Sequence, residues 1–258
     1  MTFIHKVKNI LHTTNGFICV ITAFLMLVIT FSNLSSLSRH YYTHYKIRVS
    51  LIDCCISQKN DMAFILMIIP IFLFIIQIAS KNDLRTEKVL RRYSRKRIWI
   101  NQVIKSEIIV FIFSMYYLII SLFAGSLYSS SFINWDSEKS LYFIVNKATT
   151  NISFTAALTF FFIFCLLSLS GISLLFLILQ WFIKNKVLSW VIMTALLCLE
   201  IFYPQLSVTV NRASLSYENC FTAEMYVNML ITFILCCLTI IIGLYFSKYK
   251  EFIDDVQS

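Results

Sequence analysis

The chain has 258 residues, of which 59% are hydrophobic and only 14% charged, with two prolines. A soluble domain of this size carries about 25% charged residues, so water is not the main solvent, and a soluble enzyme and a disordered chain are both excluded. Lys and Arg number 22 against 13 Asp and Glu, a formal net charge of +9, and the location of that excess is the most informative question the sequence poses.

Crossing a bilayer core of about 30 Å takes roughly 17 to 25 largely apolar helical residues. Before the first such stretch, FIHKVKNILHT puts Phe3, Ile4, Val7, Ile10 and Leu11 at helical spacing opposite His5, Lys6, Lys8, Asn9 and His12. That pattern predicts an N-terminal amphipathic interfacial helix, either an anchor on anionic inner lipid or a mechanical element.

Six spans are then predicted, over residues 16–33, 62–79, 108–128, 154–183, 187–203 and 226–246. The fourth is long for one crossing and must tilt, project into water, or break near Ser170 and Gly171. Six spans consume about half the chain, so the connections are too small for a separate folded domain, and residues 1–258 read as a single six-span transmembrane domain. The fold class is an all-α membrane protein.

Loop charges set the orientation. With both termini in the cytoplasm, the inner segments hold fifteen basic residues against six acids, and the outer ones seven against seven. The whole net charge then lies inside. Most of it falls in the connection between spans two and three, SKNDLRTEKVLRRYSRKRIWINQVIKSE, where nine basic residues between Lys81 and Lys105 face only Asp83 and Glu87.

That connection is long enough for several helical turns. Leu84, Lys88, Arg91 and Arg95 share one face, Val89, Leu90, Tyr93 and Arg97 lie near another, and Arg85 and Arg92 add charge between them. Apolar and aromatic knobs among cations suit docking onto a soluble protein, whereas a solvated positive-inside loop would explain the charge alone.

An amphipathic N-terminal helix, six spans, and a basic helix-forming connection with Tyr93-Ser94-Arg95 running into span three resemble the permease subunit of an ABC-2 type ABC transporter. The resemblance implies that the connection is a coupling helix seated in a cytoplasmic ABC ATPase subunit, through Leu84, Arg85, Lys88, Leu90, Arg91, Arg92, Tyr93, Arg95 and Arg97. It also implies a second permease copy or paralogue as partner, and short re-entrant helices in the connection 204–225. This chain lacks the Pro before Ser-Arg and the Gly-Lys after it that many relatives show.

Other chemistry is missing. Without a Gly-rich loop ending in Lys-Ser/Thr the chain cannot cradle nucleotide phosphates, so no cofactor is expected on it, and ATP and Mg belong to the partner subunit. An intramembrane protease needs paired acids, His ligands or a polarised Ser within spans; His5, His12, His40 and His44 all lie outside the six spans, and no His-x-x-x-His pair occurs within one. The chain is therefore read as no enzyme, with no metal site. Nucleic acid is not needed to explain the basic charge.

Glu200 is the only acid inside a predicted apolar run, either snorkelling to the interface or meeting a cationic substrate. Cys165, Ser168 and Gly171 repeat every three residues in span four, a stripe suited to close helix packing. Five of the eight cysteines fall in spans; Cys54, Cys55 and Cys220 fall in outer connections, where a bridge to Cys220 and three free thiols are both open.

These features add up to one half of an ATP-driven exporter in a bacterial plasma membrane, moving an amphipathic or hydrophobic substrate, with a peptide such as a bacteriocin as first choice. The alternative is a non-transporting membrane immunity or sensor protein that binds a peptide through its outer loops.

Overall fold

The computed structural model describes residues 14–47, 49–60, 62–80, 95–183, 185–203, 217 and 220–248, and every regular element among them is helical. In chain order these are α1 (Thr14–Tyr45), α2 (Leu51–Asn60), a π-helical stretch (Phe64–Ile68) running into α3 (Ile69–Ser80), α4 (Arg95–Tyr128), a short α5 (Leu141–Asn146), α6 (Phe154–Phe182), α7 (Lys186–Phe202) and α8 (Ala223–Phe246). Four of them, α1, α4, α6 and α8, are long and apolar enough to cross a membrane, and a fifth crossing arises if the pair Leu51–Lys59 and Phe64–Ser80, bent by 62°, counts as one span. The chain is accordingly membrane-embedded. At 17 residues α7 is shorter than these four.

The π-helical stretch has a local cause. Pro70 has no N–H and its ring crowds the carbonyl four residues earlier, and the wider π turn just before it is the usual relief of such a conflict. The carbonyl of Pro70 is then free to accept from Trp190 Nε1 at 3.2 Å, which ties α7 to the start of α3.

Helix α6 is the centre of the bundle and pairs antiparallel with α4. Trp99 meets Trp181 edge-on at 5.7 Å near one end, and Tyr117 stacks on Phe161 at 6.4 Å further along. Phe64 packs on Tyr117 and Phe72 on Phe113, bringing the bent pair against the same α4 face. Helix α6 is continuous from Phe154 to Phe182, about 44 Å at 1.5 Å per residue, so of the three ways to accommodate its length the break at Ser170 and Gly171 is not taken. Its start is capped by Ser153, whose Oγ accepts from Ala156 N, and α7 is capped by Asn185, whose Oδ1 accepts from Val187 N and Leu188 N.

Two glycines mark close approaches. A Cβ at Gly125 would sit 2.8 Å from Leu51 Cδ1, so α2 rests directly on α4 there. At Gly243 the Trp99 indole lies flat against the α8 backbone, occupying the space a side chain would need.

The long helices overrun the hydropathy boundaries. Helix α1 continues twelve residues past Asn33 to Tyr45, and α4 begins at Arg95, thirteen residues before Ile108. The predicted N-terminal helix, residues 81–94 of the basic connection and residues 204–216 lie outside the described residues.

Candidate functional site

Inside an apolar bundle each polar group is costly, and an ionisable one marks a candidate site. Lys59 is 2% exposed, with Nζ 5.6 Å from the Phe164 ring centroid. Phe164 lies ten residues beyond the start of α6, about 15 Å along it, so this ammonium sits well within the bundle. The expected outer connection 34–60 thus dips inward here, because α2 carries its chain between α1, α4 and α6. Gln58, one residue earlier, donates through Nε2 to the carbonyl of Thr30 at 3.0 Å, anchoring α2 to α1.

Glu107 is the second such group. Read from hydropathy it falls on the inner flank of span three, but it is an integral part of α4 and its Oε2 accepts from Ser170 Oγ at 2.6 Å. Ser170 is twelve residues from the end of α6, about 18 Å, so Glu107 too lies along the middle of the bundle. Its Oε1 is buried with no hydrogen-bond partner among the described residues. Glu200 is therefore not the only acid among the long apolar helices. Deeper toward the Arg95 end, Trp181 Nε1 donates to Gln102 Oε1 at 2.6 Å and Ser80 Oγ donates to Gln180 Oε1 at 3.0 Å, while the Nε2 atoms of both glutamines are buried with no hydrogen-bond partner among the described residues.

Glu200 lies at a cavity of about 420 Å³ between α6 and α7, where Leu175, Ile178 and Leu179 face Met193, Leu196 and Leu197. It is half-buried and is the single charged residue in that lining. An apolar wedge with one carboxylate can hold an amphipathic cation, burying its hydrocarbon and pairing its charge.

Opposite the Trp99 end, Asp53 is fully buried and joins three separate segments. Its Oδ2 accepts from Ser50 N at 2.9 Å and from Ser50 Oγ at 2.6 Å, while Ser50 Oγ accepts from Asp53 N at 3.4 Å. This is a capping box at the start of α2. Its Oδ1 accepts from Trp135 Nε1 at 2.8 Å and from Tyr217 OH at 3.2 Å. Four donors suit a carboxylate, which accepts at both oxygens. Around it Trp135 stacks on Tyr142 at 4.9 Å, and Asn146 Nδ2 donates to the carbonyl of Tyr217. Burial first, and the facing Asp53 second, push the Tyr217 phenol well above its ordinary value. Sequence reasoning missed this node; the Ser50-Leu-Ile-Asp53 capping pattern was the available signal.

The other residues singled out from sequence fall as follows. Leu84, Arg85, Lys88, Leu90, Arg91, Arg92 and Tyr93 lie outside the described residues. Arg95 and Arg97 occupy the first turn of α4, where Arg95 Nη1 donates to the carbonyl of Lys248 at 3.3 Å, joining that end to the end of α8, and Arg97 is exposed. Cys165, Ser168 and Gly171 are all buried on α6. Cys54, Cys55 and Cys220 are buried, with free thiols. Among the described residues no group of three or more His, Cys, Asp or Glu is placed to hold a metal ion.

No family model, curated protein or solved structure matches the chain, so its own residues carry the functional reading.

Proposed function

We propose that this chain is the membrane-spanning permease subunit of an ATP-driven exporter of the ABC-2 type, in a bacterial plasma membrane. On this reading there are six crossings, with the bent pair as the second and α7 as the fifth, and both termini lie in the cytoplasm. The observation that carries it is the basic connection. Its described end is a rigid continuation of α4, so Arg95, Lys96 and Arg97 stand at the tip of a 34-residue helix rather than on a slack loop. A push delivered there travels along α4 to the Asp53 node.

The chain supplies the transmission and the pathway; ATP and Mg act on a separate cytoplasmic ATPase subunit, and a second permease copy completes the channel. The cavity at Glu200 favours an amphipathic cargo with a cationic group, and a peptide fits that description. A non-transporting immunity or sensor protein remains the second reading, favoured only by the extent of buried structure around Asp53 on the outer side.

The test is co-purification with the ATPase. Charge reversal of Arg91, Arg92, Arg95 and Arg97 to Glu is expected to abolish association while leaving the chain folded in the membrane. Intact association after that reversal defeats the docking claim. If the charge-reversed chain loses its ATPase yet still protects cells against a peptide, the immunity reading takes its place.

A further inference from the structure

The extension of α1 beyond the predicted first span carries a feature that transport does not use. His40 and His44 are four residues apart, and their ring centroids are 4.5 Å apart. Both are exposed, and the other rings near His40 are Tyr41 and Tyr45 of the same helix, at 5.7 and 6.5 Å. One helical turn puts residues i and i+4 on the same face, and two His at that spacing are the arrangement by which a helix binds Zn²⁺ in the H-E-x-x-H motif.

The geometry matches. Two imidazole nitrogens each about 2.0–2.1 Å from an ion lie about 3 Å apart. Rings whose centroids are 4.5 Å apart reach that spacing by rotating toward one another, and both are free to do so at an exposed helix surface. The backbone is already fixed: α1 is continuous to Tyr45, and Thr43 Oγ1 donates to the carbonyls of Arg39 and His40, reinforcing the last turn.

We propose that His40 and His44 form a two-imidazole clamp for a borderline divalent transition-metal ion, Cu²⁺, Ni²⁺ or Zn²⁺. Neutral imidazole suits these ions, whereas Mg²⁺ and Ca²⁺ need oxygen donors. No third His, Cys, Asp or Glu among the described residues joins the pair. The remaining positions therefore go to water or to a donor from another molecule. The ion is held open-faced, as a peripheral binding site rather than a structural one. The site does not depend on the transport reading and stands whichever way the membrane is crossed.

The test uses the full chain in nanodiscs, purified without a polyhistidine tag and with His5 and His12 changed to Gln so that only the pair remains. Titration with Cu²⁺, read by electron paramagnetic resonance, is expected to give one ion per chain with two nitrogen ligands, and Zn²⁺ is expected to displace it only in large excess, because Cu²⁺ is bound more tightly by imidazole. His40→Gln and His44→Gln should each weaken binding roughly 10²-fold, since the second donor acts at high effective concentration. A third variant, Tyr42→His with His44→Gln, keeps two histidines but places them on opposite faces, and it should bind as weakly as the single-His proteins. All three positions are exposed, so helicity and melting should be unchanged. Equal affinity in the single-His or respaced variants, or a one-nitrogen spectrum in the parent, overturns the clamp.

Discussion

Replacing Asp53 with Ala removes at one stroke the acceptor for Ser50 N, Ser50 Oγ, Trp135 Nε1 and Tyr217 OH. Each donor left buried and unpaired costs about 1–3 kcal/mol. Ser50 Oγ can turn to another acceptor, and Ser50 N lies at a helix start, so the full penalty falls on Trp135 and Tyr217. The expected loss is about 2–6 kcal/mol. Asp53→Asn keeps one oxygen and presents an amide to the other pair of donors, so about 1.5–3 kcal/mol should go, by the same rule. Tyr217→Phe removes the 3.2 Å bond to Asp53 and the phenol's bond with Ser57 and leaves the Trp135 bond in place, for about 1–2 kcal/mol. The assay is thermal unfolding in detergent, read by a thiol-reactive dye that reports Cys54, Cys55 and Cys220 as they become exposed. The order Ala, then Asn, then Tyr217→Phe is the signature. An Asp53→Asn protein within 0.5 kcal/mol of wild type, or a Tyr217→Phe protein less stable than Asp53→Ala, refutes the account of Asp53 as the shared acceptor.

Gly243→Ala forces the Trp99 indole off α8, weakening its 3.2 Å bond to the carbonyl of Ile240 and its edge contact with Trp181; a loss of about 2–4 kcal/mol in the same melt is expected, and wild-type stability would show that α8 yields instead. Lys59→Met removes a buried ammonium and shortens the side chain by one atom; unchanged stability would mark the charge as dispensable for the fold, and a loss above about 3 kcal/mol would make Lys59 a structural tie rather than a site. Burial pushes the Cys220 thiol up to about 12 from 9.0. A raised acid keeps its proton in the fold and sheds it on unfolding between those values. Cys220 therefore costs stability only as pH climbs from 9.0 toward about 12, and maleimide at pH 7.5 should label it only after unfolding; rapid labelling of the folded protein would refute its burial.

The apolar helices were legible in the sequence because each is dominated by residues whose cost in water exceeds any local preference. Their ends were not. Hydropathy stops at Lys105 and Glu107, yet α4 runs back to Arg95, because Trp99, Gln102 and Glu107 find partners in Ile240 of α8 and Trp181 and Ser170 of α6 that no window along α4 can see. The same blindness hid Lys59, which looks like loop charge until α2 is folded between α1 and α6. Glu200 was visible since its neighbours in sequence are apolar, but the cavity it borders takes three of its eight lining residues, Leu175, Ile178 and Leu179, from α6. The π turn before α3 could have been foreseen from Pro70. The Asp53 node could not, since Trp135 and Tyr217 come from segments 82 and 164 residues away.

Helix α4 is gripped near both ends, at Trp99 by the backbone of α8 and at Gly125 by Leu51 and Cys54 of α2. Between those grips it is a single rod of 34 residues, about 51 Å long. Tilting such a rod by about 5° around its midpoint carries each tip about 2 Å in opposite senses. A displacement of that size exceeds the clearance at the Trp99 contact with Gly243 and at the Gly125 contact with Leu51 and Cys54. Because both grips hold one rod, a tilt that loosens either one strains the other, so the two ends of α4 are coupled through the helix itself.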